Sequence, residues 1–178
     1  LTLIYKVVGE GTKAMTALQP GAALDLLTGL GNGFDTACCG DKPLLVGGGV
    51  GLPPLYGLCK TLLWEGKHPR VVMGFNTASE VFLEAEFRAL NVPVTVTTAD
   101  GTCGMKGFVT AALPGLDFDS TFACGPEPML RALYNATDKP GQYSFEARMA
   151  CGFGACMGCT CKTKYGAKRI CKDGPVLQ

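Results

Sequence analysis

Several residue classes are scarce in this 178-residue sequence, and each scarcity narrows what the chain can be. Histidine occurs once, as His68 beside Pro69 in a helix-to-strand loop, where a surface role is expected. With no Ser-His-Asp set and no paired-carboxylate motif, hydrolytic chemistry is a weak reading. Sixteen basic residues against fifteen acidic ones leave a net charge of +1, and neither sign forms a run. A nucleic-acid binder would carry a basic stripe, so that partner class is disfavoured. Mean hydropathy is +0.22, yet the longest charge-free stretch, Pro43 to Cys59, is broken by glycines and prolines, which argues against a membrane span. No basic start or small-residue cleavage site opens the sequence, so no signal peptide is read. Ten cysteines in 178 residues fall below the density of a secreted disulfide scaffold.

What is abundant is glycine, clustered rather than periodic, and a texture that changes along the chain. Residues 1–40 read as short strands, Leu3–Val8 and Ala23–Leu27, with Gly9-Glu10-Gly11-Thr12-Lys13, a short helix over Ala14–Leu18 and the turn Gln19-Pro20-Gly21 between them. Such a fragment suggests the end of a small antiparallel β-barrel, since two or three strands rarely stand alone. Residues 41–147 alternate strand and helix. Strands are expected at Leu44–Val46, Val71–Gly74, Val94–Thr98, Thr121–Cys124 and Tyr143–Phe145. Helices are expected at Leu52–Glu65, Ser79–Leu90 (capped by Thr77 or Ser79) and Glu127–Asn135, with a weaker one at Phe108–Leu113. That alternation predicts an α/β domain with a five-stranded parallel, doubly wound sheet. Residues 148–178 form a third, cysteine-rich region.

Cys151, Cys156, Cys159 and Cys171 read C-x₄-C-x₂-C-x₁₁-C, the plant-type spacing for a [2Fe-2S] cluster. Gly152, Gly154 and Gly158 let the loop turn tightly and aim backbone N–H groups at sulfur. Zinc also accepts four thiolates, but structural zinc sites usually pair two short knuckles. Disulfides would need an oxidising compartment that nothing here indicates. Cys161 is read as a bystander, because Cys159 preserves the spacing. Cys38, Cys39, Cys59 and Cys103 are read as buried or partly buried small residues. Clustered thiolates without an export signal point to the cytoplasm.

Two turns follow strand ends and precede helices. Gly47-Gly48-Gly49-Val50-Gly51 lets the backbone approach a ligand, and the helix beyond it offers N–H groups to a phosphate. It is not the G-x-G-x-x-G fingerprint, and no acid stands at the usual offset. Cys124-Gly125-Pro126 is the second turn, and Asp100-Gly101 lies after the third strand. At the carboxyl edge of a parallel sheet the two turns are expected to face each other across a crevice.

Gly-Gly-Gly-Val-Gly-Leu-Pro-Pro-Leu, then Cys-Gly-Pro-Glu-Pro-Met, then Met-Ala-Cys-Gly-Phe-Gly-Ala-Cys-Met-Gly-Cys together resemble the ferredoxin–NADP reductase superfamily. Within it, the match is closest to the family of class 1B dihydroorotate dehydrogenase electron-transfer subunits. The resemblance implies an FAD-binding β-barrel, an NAD-binding α/β domain and a C-terminal [2Fe-2S] module. It assigns Gly11, Thr12 and Lys13 to the FAD pyrophosphate, and Gly47, Gly48, Gly49 and Gly51 to the NAD loop. Cys124, Gly125 and Pro126 fall beside the nicotinamide, and Cys151, Cys156, Cys159 and Cys171 hold the cluster. The family's Arg-x-x-Ser flavin segment has no counterpart here, so the N-terminal part of the barrel is expected to be missing and the FAD site incomplete.

A nicotinamide exchanges hydride and a [2Fe-2S] cluster exchanges single electrons, so a flavin is the required junction. The implied partner is an FMN-containing dihydroorotate dehydrogenase catalytic subunit in a hetro-oligomer, serving pyrimidine biosynthesis. Relatives with the same turns include ferredoxin–NAD(P) reductases and the flavin subunits of sulfide dehydrogenases or hydrogenases. From another class, a zinc-stabilised, non-catalytic nucleotide-binding subunit fits the same cysteines. Asn76-Thr77-Ala78 after the second strand carries no base for a 2′-phosphate, which favours NAD over NADP.

Overall fold

The computed structural model describes residues 2–178. Its centre is β1 (Pro43–Gly48), in which all six residues are buried. A strand flanked on both edges and covered on both faces must be apolar throughout, and Leu44, Leu45 and Val46 satisfy that. β2 (Arg70–Phe75) and β3 (Val94–Thr98) lie to one side, followed by the short β4 (Met105–Lys106). β5 (Ser120–Cys124) and β6 (Gly141–Ser144) lie to the other. The order β4-β3-β2-β1-β5-β6 is parallel throughout, and β9 (Val176–Leu177) closes the edge antiparallel to β6. The five expected strands are present. The sheet has seven because Met105–Lys106 and Val176–Leu177 join it, both too short to carry a periodic signal.

Helices cover both faces, as a doubly wound sheet requires. α2 (Leu52–Trp64) lays Leu52, Leu55, Leu58, Cys59 and Leu62 against Leu45, Val71, Met73, Val96 and Phe122. On the opposite face, Val109, Ala112 and Leu113 of a 3₁₀ turn pack with Leu130 and Leu133 of α4 (Glu127–Ala136) against Leu44, Val46, Val72 and Ala123. α1 (Glu10–Met15) precedes the sheet, and α3 (Glu84–Ala89) packs with Phe87 buried beside α2.

Four local expectations are corrected. The stretches Leu3–Val8 and Ala23–Leu27 run without a strand ladder, and Leu3, Ile4, Val7, Val8, Leu24, Leu26 and Leu27 are exposed. A strand needs a neighbour for its N–H and C=O groups, and these have none among the described residues. Gly11, Thr12 and Lys13 lie on α1, not in a loop, and α1 replaces the helix read over Ala14–Leu18. The continuous helix over Ser79–Leu90 is split into a 3₁₀ turn at Ala78–Glu80 and α3. Val81, Phe82 and Leu83 all pack toward the core, which three consecutive helical positions could not do, and Leu83 takes φ 62° to restart the helix. Neither hydroxyl caps it; Thr77 and Ser79 bond to each other at 2.8 Å.

The cysteine-rich region is a two-stranded hairpin, β7 (Thr160–Thr163) with β8 (Gly166–Arg169), leading into the one-turn α5 (Ile170–Asp173) and β9. It is tied to the rest of the chain in two ways. β9 pairs with β6, Tyr143 opposite Leu177 and Ser144 opposite Val176. Asn32 bonds the Gly174 carbonyl through its backbone at 2.6 Å and the Lys172 and Asp173 carbonyls through its side chain at 3.1 and 3.2 Å. No helix of the described residues is long and apolar enough to cross a membrane.

Candidate functional site

The four cysteines of the C-x₄-C-x₂-C-x₁₁-C set stand as two pairs. In the first, the backbone N–H of Cys156 donates to the Cys151 Sγ at 3.4 Å. In the second, the backbone N–H of Cys171 donates to the Cys159 Sγ at 3.4 Å, and both residues are buried with Ile170. Gly158 N–H donates to the Cys156 Sγ at 3.4 Å. Among the described residues, no three His, Cys, Asp or Glu side chains gather round one point as a single ion would need. Four thiols standing as two pairs are a donor set that would suit a [2Fe-2S] cluster, which four cysteines hold.

Electrostatics prepares one sulfur of each pair, Cys151 and Cys159, for the thiolate form. The N–H groups of Cys156 and then Phe153 bring the Cys151 thiol down to about 6. The Cys171 N–H lowers Cys159 in the same way, while Cys171 is raised because its thiol shares a proton with Cys159. A metal takes cysteine as thiolate, so N–H groups aimed at sulfur favour loading. The loop reaches this shape through left-handed backbone at Gly152 (φ 76°), Gly154 (φ 90°) and Met157 (φ 61°). Gly158, by contrast, has ordinary φ and contributes through its N–H alone.

Arg169 holds the loop and was not singled out in the sequence. Its guanidinium donates to the Gly154 carbonyl at 2.9 Å, while its own N–H donates to Asp173 at 2.7 Å. No spacing rule points to it; only the hairpin brings residue 169 under residue 154. Cys161 sits on β7 outside the two pairs, and all ten cysteines are free thiols. Cys38 is exposed, contrary to expectation, because its thiol bonds the Asp35 carboxylate at 3.1 Å in the turn before β1.

At the sheet's carboxyl edge, β1 and β5 are neighbours with Gly47 opposite Cys124. Strand order reverses here, which is where α/β sheets open a crevice. The two expected turns do more than face one another: they touch. A Cβ on Gly51 would collide with the Cys124 carbonyl, one on Gly125 would lie 3.0 Å from the Gly48 nitrogen, and one on Gly48 would press the Met129 sulfur at 2.7 Å. Gly47, Gly48 and Gly51 are buried where the two turns meet, Gly49, Cys124 and Gly125 are half-buried, and Pro126 is exposed. Ser144 stands opposite Cys124 on β6, a neighbour that only the register discloses. Burial pushes the Cys124 thiol up, so it is a neutral hydrogen-bonding group near pH 7.

One part of the phosphate argument changes. The Leu52 N–H at the start of α2 is taken by the Gly49 carbonyl, and Pro53 and Pro54 have none to give. The loop 49–51, not the helix terminus, therefore supplies the donors, and Gly49 (φ 50°) turns it outward with no atom near its Cα hydrogens. The half-buried edge at Gly49, Cys124 and Gly125 has the chemistry a dinucleotide would meet: close backbone, a positive-φ turn and a neutral thiol. On α1 the arrangement is local. Thr12 Oγ1 accepts from the N–H groups of Val8 and Gly9 at 3.0 and 3.1 Å, and Lys13 N–H bonds the Gly9 carbonyl. The first turn of this six-residue helix carries Glu10, and none of its residues is buried.

Comparison with known proteins identifies the family of the whole chain and the kind of module at its C-terminal end. A family model for the iron-sulfur cluster binding domain of dihydroorotate dehydrogenase B matches residues 146–178. Over 99% of its length the chain is similar to proteins named dihydroorotate dehydrogenase B (NAD(+)), electron transfer subunit. Those from Fusobacterium nucleatum and Bacillus pumilus are each 45% identical and that from Geobacillus thermodenitrificans is 46% identical, with 71% of each covered. Among solved structures, an NADH-dependent reduced ferredoxin–NADP oxidoreductase superposes with a TM-score of 0.85 at 32% identity. The match covers 97% of this chain and 65% of that one. The flavohemoglobin of Malassezia yamatoensis, at TM-score 0.56 and 18% identity over 79% of this chain and 42% of its own, shares the fold alone.

Proposed function

The chain belongs to the family of dihydroorotate dehydrogenase B electron-transfer subunits, and on that footing we propose that it relays electrons between a catalytic partner and NAD⁺. It is an oxidoreductase subunit with an iron–sulfur module and a reductase-like nucleotide-binding fold. The observation that carries the reading is the pairing of Cys151 with Cys156 and Cys159 with Cys171. The partner is an FMN-containing subunit that oxidises dihydroorotate to orotate in pyrimidine biosynthesis, and the assembly is cytoplasmic.

When bound, flavin supplies the conversion between the single electrons of the cluster and the hydride of the nicotinamide. This chain's residues hold and orient. Cys151, Cys156, Cys159 and Cys171 ligate the cluster, with Arg169 fixing the loop round it. The N–H groups of Cys156, Gly158 and Cys171, aimed at sulfur, would stabilise negative charge on a bound cluster and tune its potential. Gly47–Gly51 bring backbone against the dinucleotide, and the Cys124-Gly125-Pro126 turn flanks the nicotinamide with an uncharged thiol. Gly11, Thr12 and Lys13 lie at the FAD pyrophosphate. Dihydroorotate is handled by the partner subunit.

Anaerobic purification with iron, acid-labile sulfide and zinc assays on one sample tests the reading. About two irons and two sulfides per chain, with visible absorption that bleaches on reduction, are expected. Zinc without sulfide overturns it in favour of the structural module. The 32% likeness to the ferredoxin–NADP oxidoreductase supports one second reading, direct exchange with ferredoxin; recovery of an FMN-containing dihydroorotate dehydrogenase with the chain decides against it.

A further inference from the structure

The two cysteine pairs stand on different frames. Cys151 and Cys156 lie in the loop before β7, whereas Cys159 and Cys171 flank the hairpin, where the Ile170 N–H donates to the Cys159 carbonyl at 3.2 Å. Arg169 belongs to the second frame by its backbone, which is paired with Thr160 across β7 and β8. Its side chain belongs to the first. One guanidinium nitrogen donates to the Gly154 carbonyl at 2.9 Å, between Cys151 and Cys156, and lies 3.7 Å from the Met157 sulfur, between Cys156 and Cys159. The residue is a strut from one pair to the other, and a planar guanidinium with fixed donors suits a strut better than a flexible ammonium.

The strut is itself anchored. Asp173 Oδ2 accepts from the Arg169 N–H at 2.7 Å and stands 3.6 Å from the Arg169 Nε. The two side chains are only 26% and 31% exposed, so water screens their charges incompletely. Residues 146–178 carry six cations against two acids, Glu146 and Asp173. Among the described residues, Arg169 is the one of the six whose charged group hydrogen-bonds the cysteine loop; Lys172 lays only its stem along Gly154.

We propose that Arg169 is a positioning residue that sets the reduction potential of the cluster held by the four cysteines, its positive charge fixed against their loop and partly offset by Asp173. This rests on the cluster reading of those cysteines and deepens it by giving the potential to one ion pair. A cation bordering the site favours the reduced, more negative form, and a carboxylate does the reverse. Arg169 and Asp173 therefore act in opposite directions. Loosening the brace from either end would disturb the loop alike, so the sign of the shift separates charge from shape.

Anaerobic potentiometric titration of the full chain, followed by visible absorption, tests the assignment, with iron per chain and melting temperature measured on each sample. Arg169→Gln is expected to lower the potential, cutting the ratio of reduced to oxidised cluster about tenfold at a fixed applied potential, the order for one unit charge bordering a partly wet site. Asp173→Asn, which keeps an acceptor for the Arg169 N–H, is expected to raise it. Arg169→Lys keeps the charge and should stay close to the unaltered chain in potential, and Lys164→Gln at the hairpin turn should leave it unchanged. If Arg169→Gln keeps both its iron and the original potential, the side chain only braces the loop and the proposal falls alone. If Arg169→Gln sheds its iron, the other two variants decide: no rise in Asp173→Asn, or a tenfold fall in Arg169→Lys, overturns the proposal. If the unaltered chain holds no iron and sulfide, the cluster reading of the four cysteines falls and takes this one with it.

Discussion

The backbone of Gly51 passes so close to the carbonyl of Cys124 that no Cβ fits between them. One glycine thereby joins the turn after β1 to the turn after β5 at the point where the sheet reverses its strand order. Gly51→Ala must push backbone against backbone, with no flexible side chain to give way. We expect a loss of about 1–3 kcal/mol, the usual cost of overpacking, and a melting temperature several degrees lower. Gly57 in α2 has nothing within 4 Å of its would-be Cβ, so Gly57→Ala should instead stabilise by about 1 kcal/mol. Thermal melts of the two variants side by side check the contrast, and equal melting temperatures would show that the turns slide apart freely.

The grouping of thiols makes a prediction about which serine substitutions strip the metal. Cys151, Cys156, Cys159 and Cys171 each complete a pair, so replacing any one with serine should take iron per chain well below half. Cys161→Ser, on β7 outside both pairs, should keep iron and the visible spectrum unchanged. Iron and sulfide assays on the five variants decide it. Loss of iron in Cys161→Ser with retention in Cys159→Ser would shift the ligand set by two residues.

Much of this was legible before the structure. The alternation of apolar strand and amphipathic helix located five strands and the ends of α2 and α4, because buried parallel strands and one-sided helices leave strong periodic signatures. The cysteine spacing pointed to a ligand set for a similar reason: a loop round a cluster is a local object. What was hidden depends on residues far apart. Glu80 closes the 3₁₀ turn Ala78–Glu80 by accepting from Asn76 just beyond β2, a contact that a helical reading of Ser79–Leu90 does not disclose. Arg169 meets Gly154 only through the hairpin, and Val176–Leu177 becomes a strand only by lying on β6. The stretches Leu3–Val8 and Ala23–Leu27 failed in the opposite direction, having strand composition without strand neighbours.

Asp119 gives the fold an acid-sensitive point. Its Oδ2 accepts from the Lys42 N–H and its Oδ1 from the Ser120 hydroxyl, each at 2.7 Å, tying the entry to β1 to the start of β5. Partial burial pushes this carboxyl up, but the Lys42 N–H and the Ser120 hydroxyl together outweigh it, and the net shift is downward. A depressed folded value means that the ionised form is the one the fold prefers. Its contribution is complete above the ordinary carboxylate value near ~3.9 and disappears as pH falls through the lower folded value. Asp119→Asn should therefore cost about 1 kcal/mol at pH 7 and progressively less below pH ~4. Urea midpoints of both proteins between pH 7 and 3 check this, and a gap that stays constant with pH would assign the cost to shape instead of charge.

Thr121 is the clearest unmet polar group in the core. It lies on the α4-facing side of β5, 1% exposed, and its Oγ1 is buried without any hydrogen-bond partner. Its neighbour Ser120 has Asp119 to bond, and Gln142 opposite Phe122 on β6 bonds both the N–H and the carbonyl of Asp35, so among the described residues the shortage is confined to this one hydroxyl. A buried hydroxyl left unpaired has lost its water and gained nothing, which costs about 1–3 kcal/mol. Valine has the same branched shape and suits a strand, and it removes the polar atom without opening a cavity. Thr121→Val is expected to stabilise by about 1 kcal/mol, raising the urea midpoint while the slope of the transition stays the same. A lower midpoint would show that the hydroxyl has a partner in solution, a water or a bound molecule in the groove of about 780 Å³ that Thr121 lines with Leu130, Arg131, Tyr134 and Tyr143.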